Sequence, residues 1–536
     1  MLFGCSLCGL SRVLAIVFFI LAAAVAHGPA GWAAGEAEAA LVRGLGPEPD
    51  SLDPQLARGL AALNVLRDLY EGLVTLDAAG RVVPGWASSW QRSDNGRRYD
   101  FVLRPGAQWS DGQPLGAEDF ARGLRFALTA ANGAPFAGLL APIRNADRVL
   151  SGQLPPARLG IEAANGRLTI TLAAPAPWLL YVLAHPVSAP RRAGDETPSR
   201  RATSGAYRQR EVRPQSAIVL ERNPHHYAAA DSAFDTVVWT VSEDPASELA
   251  RYRSGAIDIT ETIPPGQFAW LKEHYPEDLR SAPYLGTYYL TYNLTRPPFK
   301  DNLALRSALS LAIDRDTLVR IVTGAGEIPA YTLVAPGLDD YPYPASSTAL
   351  MSRAERLVLA RTLYQQAGYS DERPLTVELR YNTSLQQRRI VSAIGAMWRE
   401  YLGVVTRLHN EEWKVFVVNR RARRITEVVR GGWIADLPDA LSFLEPFTAQ
   451  SNSNDSGYAD PEFEALLARA AASEDPAGRR LWLARSEHHL LAAQPIIPLY
   501  HYVSRHLVRP GIAGFVDNPL DLHLSRYLSR REAAPR

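Results

Sequence analysis

At 536 residues the chain is too long for one ordinary core, and with 47% hydrophobic and 21% charged side chains it is too apolar to be disordered. It reads as a folded soluble protein of two or three lobes. Lys and Arg number 57 against 56 Asp and Glu, a net charge of +1, which argues against a nucleic-acid binder because such proteins carry a basic face or stripe.

Arg12 precedes an uncharged apolar run, Val13 to Val25, followed by small residues. A run of that length suits the core of a secretory signal and falls short of the ~20 residues that cross a membrane. Residues 1–34 therefore read as a signal peptide, with cleavage after Ala26 or Ala34 fitting equally well. Cys5 and Cys8, upstream of the run, would leave with it. A lipid-modified cysteine would follow the run, so a free periplasmic protein is expected and not a lipoprotein. The mature chain would hold no thiol, hence no disulfide and no cysteine nucleophile or metal ligand.

Strands and helices then alternate. Leu41 to Arg43 reads as a short strand, Pro47 to Pro54 as a turn-rich loop, and Leu63 to Leu73 as a helix. Gly80 marks a hairpin, Tyr99 to Leu103 a strand, and Asp111-Gly112 a turn. Ala117 to Leu128 has helical periodicity with acids in its first turn, which suits the helix dipole. Leu168 to Leu172 is another strand, and Pro186 to Ser204 a loop or crossing. Tyr284 to Asn293 is strand-like and Asn302 to Ile321 reads as one amphipathic helix. Helices over Arg353–Ala367 and Leu385–Leu402 precede strands over Leu375–Tyr381 and Val404–Leu408. This alternation defines an α/β fold with more than one lobe.

Enzyme signatures are missing from the sequence: no G-x-S-x-G, H-E-x-x-H, P-loop or helix-opening G-x-G-x-x-G occurs. His225-His226 and His488-His489 are adjacent pairs whose side chains diverge, so they read as solvated or packed histidines and not as chelates. No cofactor is implied.

Two segments could serve a ligand. In Gly431-Gly432-Trp433-Ile434-Ala435-Asp436 the acid either caps a turn leading to Leu437-Pro438-Asp439 or faces a cleft, where it could pair with a ligand cation beside an indole wall. Arg420, Arg421, Arg423 and Arg424 read as a solvated face. Arg430, two residues before Gly432, puts a cation beside that acid, an arrangement suited to a zwitterion such as a peptide.

From Leu41 to the C-terminal region the chain resembles the peptide- and nickel-type solute-binding proteins of ABC importers, most closely their oligopeptide-binding branch. The marks are Ser51-Leu52-Asp53-Pro54, Arg67 to Leu73, Trp109-Ser110-Asp111-Gly112, Ser204 to Tyr207, Arg251 to Asp258, Ile313 to Asp316, Tyr381 to Ser384, Gly432 to Asp436, and Pro498 to Val503. Each is weak alone; their order and spacing are not.

The resemblance implies a two-lobed, type II periplasmic-binding-protein fold with an inserted extra domain. Lobe I would comprise residues 35–70, 190–285 and 505–536, the extra domain 71–189, and lobe III 286–504. It implies that Asp436 receives the peptide α-amino group and that main-chain groups of Gly432 to Ile434 and of Arg58, Gly59 and Leu60 pair with the peptide backbone. Trp413, Trp433, Phe136 and Tyr502 would wall the side-chain pockets, while Arg430 and Arg420 or Arg421 keep charge at positions matching those of relatives. Thr323 and Gln387 replace basic residues, and the disulfide some members form between the positions of Gly286 and Ile434 cannot exist here. Short peptides and an inner-membrane permease with its ATPase subunits are the implied partners of a monomer. A same-fold receptor for a murein peptide, dipeptide, peptide antibiotic or nickel chelate is the alternative.

Overall fold

The computed structural model describes residues 40–531, apart from residues 195–201, 345, 425, 436 and 474. The expected signal peptide, Cys5, Cys8 and Asp436 lie outside the described residues. No helix among those described is long and apolar enough to cross a membrane.

Three sheets, each with its own core, organise the chain. The first runs Ala40–Gly46, Thr236–Val241, Ala217–Arg222, Tyr207–Arg213, its first pair parallel and the rest antiparallel. The helix Leu60–Leu69 turns Leu66 and Leu69 into the same core as Leu41, Tyr207 and Trp239. The second sheet is antiparallel, in the order Ala87–Ser93, Arg98–Leu103, Arg167–Thr171, Ile161–Ala164. Phe120 and Leu124 of the helix Ala117–Leu128 pack there with Trp86, Phe101 and Trp109. In its acidic first turn Asp119 accepts the Gly116 amide at 2.9 Å, a cap beyond the dipole effect expected.

The third sheet has six strands in the order Ile328–Pro329, Ile496–Leu507, Leu279–Tyr292, Val428–Ile434, Thr376–Asn382, Val405–Glu411. Helices Leu303–Leu311, Arg353–Gln366 and Leu385–Leu402 share its core through Leu309, Tyr364, Ile394 and Trp398. Ser352 and Glu355 close a reciprocal cap on the second helix, and Gly403, at φ +69°, ends the third.

The single helix expected over Asn302–Ile321 is interrupted. Its first part ends at Leu311, and Asp314 caps a new turn by accepting the Thr317 amide at 3.1 Å and hydroxyl at 2.8 Å. An aspartate that satisfies a free amide competes with helix continuation. The buried Arg315 then donates to the carbonyls of Ala330 and Pro498, both at 2.8 Å, and the last turn is a π-helix over Leu318–Thr323.

Two strands reach beyond the six-stranded sheet. Leu279–Tyr292 and Ile496–Leu507 pair antiparallel in two stretches, Leu279–Pro283 with Val503–Leu507 and Thr287–Thr291 with Ile496–His501. Their register shifts between Pro283 and Thr287. Beyond the second strand, Val508 bridges to Ile259, which in turn bridges to Arg43 of the first sheet. This ladder is the connection from one sheet to the other.

Glu487 is wholly buried beside it, accepting the Leu333 and Val334 amides and the Tyr341 hydroxyl, each at 2.8 Å. Burial pushes its pKa up to about 7 in spite of those donors. A carboxyl raised on folding stabilises fully below its unfolded pKa near 4.5 and loses that contribution as pH rises to 7. Urea unfolding at pH 5 and pH 8 should therefore show Glu487→Gln removing a pH-dependent loss of up to about 3 kcal/mol. Equal pH slopes for the two proteins would rule this out.

A candidate ligand cleft

The strand Val428–Ile434 carries the Arg-Gly-Gly-Trp-Ile segment. One of its edges pairs antiparallel with Gly286–Tyr292 along its whole length. On the other edge only Val428 and Val429 pair, with Leu379 and Arg380. Among the described residues, that edge has no ladder partner from Arg430 onward, so its backbone groups are free to receive an extended chain.

Two glycines of this ladder, Gly286 and Gly432, make room for a tyrosine. A Cβ on Gly286 would lie 2.6 Å from the Tyr502 ring, and one on Gly432 would lie 2.9 Å from its hydroxyl. Gly286 and Ile434, the positions of the disulfide that cannot form here, oppose each other directly. Tyr502 meets Tyr500 edge-on, with ring centres 5.7 Å apart, and Tyr500 stacks flat on Tyr288 at 4.8 Å. Tyr288 donates to Gln387 at 2.5 Å, and the Arg430 guanidinium lies 5.3 Å from the Tyr288 ring centre. Burial raises the phenols of Tyr288 and Tyr502, while the Arg430 charge pulls each the other way. Arg430 forms no ion pair among the described residues, and its buried Nε has no partner there.

Beside this edge opens a cavity of about 450 Å³. Trp433, Glu445 and Ser453 line it from the six-stranded-sheet side, and Phe136 and Leu139 from the side of the second sheet. The indole N–H of Trp433 is buried without a partner among the described residues. Shared residues Leu139, Ser442 and Glu445 continue the cavity into one of about 200 Å³ lined by Trp178 and Leu437. Trp178 and Asp439 in turn line a third, of about 290 Å³, beside Tyr181 and the Asp439–Arg479 ion pair of 2.7 Å. Together they form one crevice between the two bodies. Trp433 and Leu437, on either side of Asp436 in the chain, line adjoining parts of it.

The structure thus puts Trp433 and Phe136 on one cavity, and Gly432 and Arg430 of the same strand beside Tyr502 and Tyr288 respectively, with Ile434 half-exposed at the strand's end. Trp413 is half-exposed at the start of the helix Trp413–Ala422, stacked on Phe416 at 6.0 Å, and Arg421 is exposed in that helix's last turn. The neighbouring arginines are anchored more than the reading of a solvated face allowed. Arg420 pairs with Asp455 at 2.8 Å and Arg423 donates to the Asn454 carbonyl at 2.8 Å.

Arg58, Gly59 and Leu60 form the entry to the helix Leu60–Leu69 and are not a strand. Asp50 accepts the Arg58 and Gly59 amides at 2.9 and 3.3 Å, so a ligand backbone would meet those amides already engaged. Thr323 donates to Glu327 at 2.8 Å. His225 faces Gln108 at 3.1 Å while His226 packs against Trp86 and Glu71, and His489 meets Asp460 at 3.0 Å.

A crevice with aromatic walls beside an open strand edge is a place to hold a solute. Residues 81–455 match the model of the bacterial extracellular solute-binding proteins, family 5. The chain belongs to that family, the periplasmic receptors of ABC importers, and is not an enzyme. It is 35% identical over 494 residues to the periplasmic oligopeptide-binding protein OppA of Salmonella typhimurium, covering 90% of each chain. Among solved structures, MppA, a periplasmic murein tripeptide-binding protein in its unliganded open form, aligns at 32% identity with a TM-score of 0.83, over 92% of this chain and 97% of that one. Haemophilus influenzae OppA in complex with the peptide RPPGFSPFR aligns at 31% identity with a TM-score of 0.74, over 92% and 99%.

Proposed function

We propose that the chain is the oligopeptide receptor of an ABC importer. It would take short peptides in extended form along the free edge of Arg430–Ile434, hold their α-amino group with Asp436, and deliver them to a membrane permease and its ATPase subunits. The open edge beside the Phe136–Trp433 cavity carries this reading. A ligand bound through its backbone is accepted whatever its side chains, which a roomy cavity then houses with water.

In this reading lobe I is residues 35–70, 190–285 and 505–536, the extra domain 71–189 and lobe III 286–504. The mature protein is a monomer released into the periplasm without a lipid anchor, after cleavage of its signal peptide at Ala26 or Ala34. The ladder that joins the sheets shifts register between Pro283 and Thr287, on the lobe boundary, and is the proposed hinge. The higher TM-score with the open MppA form than with the liganded OppA complex supports an open arrangement. That same likeness to MppA supports a second reading, a receptor for murein tripeptide.

Ligand that binds only the closed state shifts the equilibrium toward it. Saturating peptide should therefore lower the radius of gyration of unfolded-and-refolded, ligand-stripped protein in small-angle scattering. At a hundredfold excess over Kd it should also raise stability by about 2.7 kcal/mol. Peptide binding without compaction would refute the hinge, and absence of binding by a mixed peptide library would refute the receptor. A preference for murein tripeptide over that library would favour the second reading.

A further inference from the structure

The C-terminal segment holds a cluster that the ligand cleft does not use. His506, near the end of the strand Ile496–Leu507, places Nε2 2.8 Å from Oδ1 of Asp521, and His523 places its own Nε2 3.1 Å from the same oxygen. The three ligand-capable atoms lie within 4.8 Å of one another. Tetrahedral zinc with ligands at its usual distances separates them by about 3.3 Å, within a few tenths of an ångström of both histidine–aspartate spacings.

The groups around the cluster hold it in this form. Nδ1 of His506 faces the Thr260 carbonyl at 3.0 Å, an oxygen that can only accept. A neutral imidazole has one N–H. Once it is given to Thr260, the Nε2 lone pair points at a carboxylate oxygen, and a positive charge must lie between them. A backbone carbonyl on the far nitrogen is also how metal-bound histidines are commonly oriented. The His523 ring is stacked on Phe515 at 3.7 Å, and its carbonyl accepts from Arg43 at 2.6 Å. Asn518 fixes the turn that carries Asp521, accepting the Leu520 and Leu522 amides at 3.2 Å and donating to the Leu522 carbonyl at 2.9 Å. A cavity of about 40 Å³, lined also by Asn64 and Glu261, adjoins the cluster and has room for a water as a further ligand.

We propose that Nε2 of His506, Nε2 of His523 and Oδ1 of Asp521 bind one divalent ion of the zinc class, which pins the C-terminal segment to the strand that joins the sheets. Its donor set of two imidazoles and a carboxylate suits zinc over calcium or magnesium, which prefer oxygen.

The test uses the full mature protein, stripped with chelator, titrated with zinc chloride by calorimetry and assayed for retained metal after desalting. One equivalent should bind, the thermal midpoint should rise, and cobalt substitution should give the visible absorption of a tetrahedral site. Asp521→Asn and His523→Ala should each weaken zinc binding at least tenfold. His489→Ala, at the other histidine–aspartate contact, should leave it unchanged. Circular dichroism would establish that each variant is folded; should either fail to fold, the wild-type cobalt spectrum and the remaining variant decide. No retained zinc would show that a proton alone bridges the cluster, and equal binding by wild type and both variants would place the ion elsewhere; either result overturns the proposal.

Discussion

Replacing Asp436 by alanine is expected to weaken the binding of a short peptide with a free amino terminus by about 2–5 kcal/mol, as truncating one member of a buried charge pair does. Asp436 follows an open strand edge by two residues, and both Trp433 and Leu437 line the crevice. A peptide running along that edge brings one terminus to this end of the strand. Acetylating the peptide removes the charge and should cost wild type a similar amount, because the carboxylate is then left without its cation. The two losses should not add: in the Asp436→Ala protein, acetylation should matter little. Isothermal calorimetry on the four combinations measures this. Unchanged affinity in the folded variant would remove Asp436 from the site.

Arg526→Ala should lower the unfolding free energy by about 3–5 kcal/mol, the cost of leaving a buried charge without its partner. Glu71, at the start of the segment leading to the second sheet, is 4% exposed. Burial pushes its carboxyl up, but Arg526, His226 and Tyr227 together hold it below the ordinary range. Arg526 bonds the carboxylate directly, His226 lies 3.3 Å away, and Tyr227 donates its hydroxyl to it. Removing both charges, in Arg526→Met with Glu71→Leu, should recover much of the loss, since apolar replacements of similar size avoid the desolvation cost. Urea unfolding of the three proteins tests this; a single variant within about 0.5 kcal/mol of wild type would contradict it.

Local chemistry made much of the fold legible. The helices at Ala117–Leu128 and Leu385–Leu402 carry their caps and apolar spacing in adjacent residues, and the structure keeps both over the residues read. The strand at Tyr99–Leu103 alternates in and out and does so in the sheet. Asn302–Ile321 was misread because its apolar period continues through Asp314, whose capping role depends on what it bonds and not on spacing. The strands Ala217–Arg222 and Thr236–Val241 were passed over; each is mostly buried, so it lacks the alternation that marks a half-exposed strand.

In the cleft, the resemblance supplied the residue types, while the crevice itself depends on partners distant in sequence. Phe136 faces Trp433 only because two cores pack side by side. Arg58 to Leu60, whose main-chain groups the resemblance assigns to the peptide backbone, lie at a helix entry where Asp50, eight residues earlier, accepts the Arg58 amide. The His506–Asp521–His523 cluster has no short-motif signature, since its members converge across a turn held by Asn518.

The ladder between sheets has a consequence for how the molecule is made. The first sheet gains its bridge to Val508 and its buried contact between Ser525 and Asp68 only from the last part of the described chain. Leu279–Tyr292 likewise waits for Ile496–Leu507. A chain emerging from its amino end can form the second sheet early, because those strands lie close in sequence, but it cannot complete the first sheet's surroundings or the joining ladder until nearly all of it is present. Such distant pairing makes folding slow. For a receptor exported as an unfolded thread, as proposed above, that delay would be an advantage: threading order and sheet order would oppose each other, and the chain would stay translocatable until it had arrived.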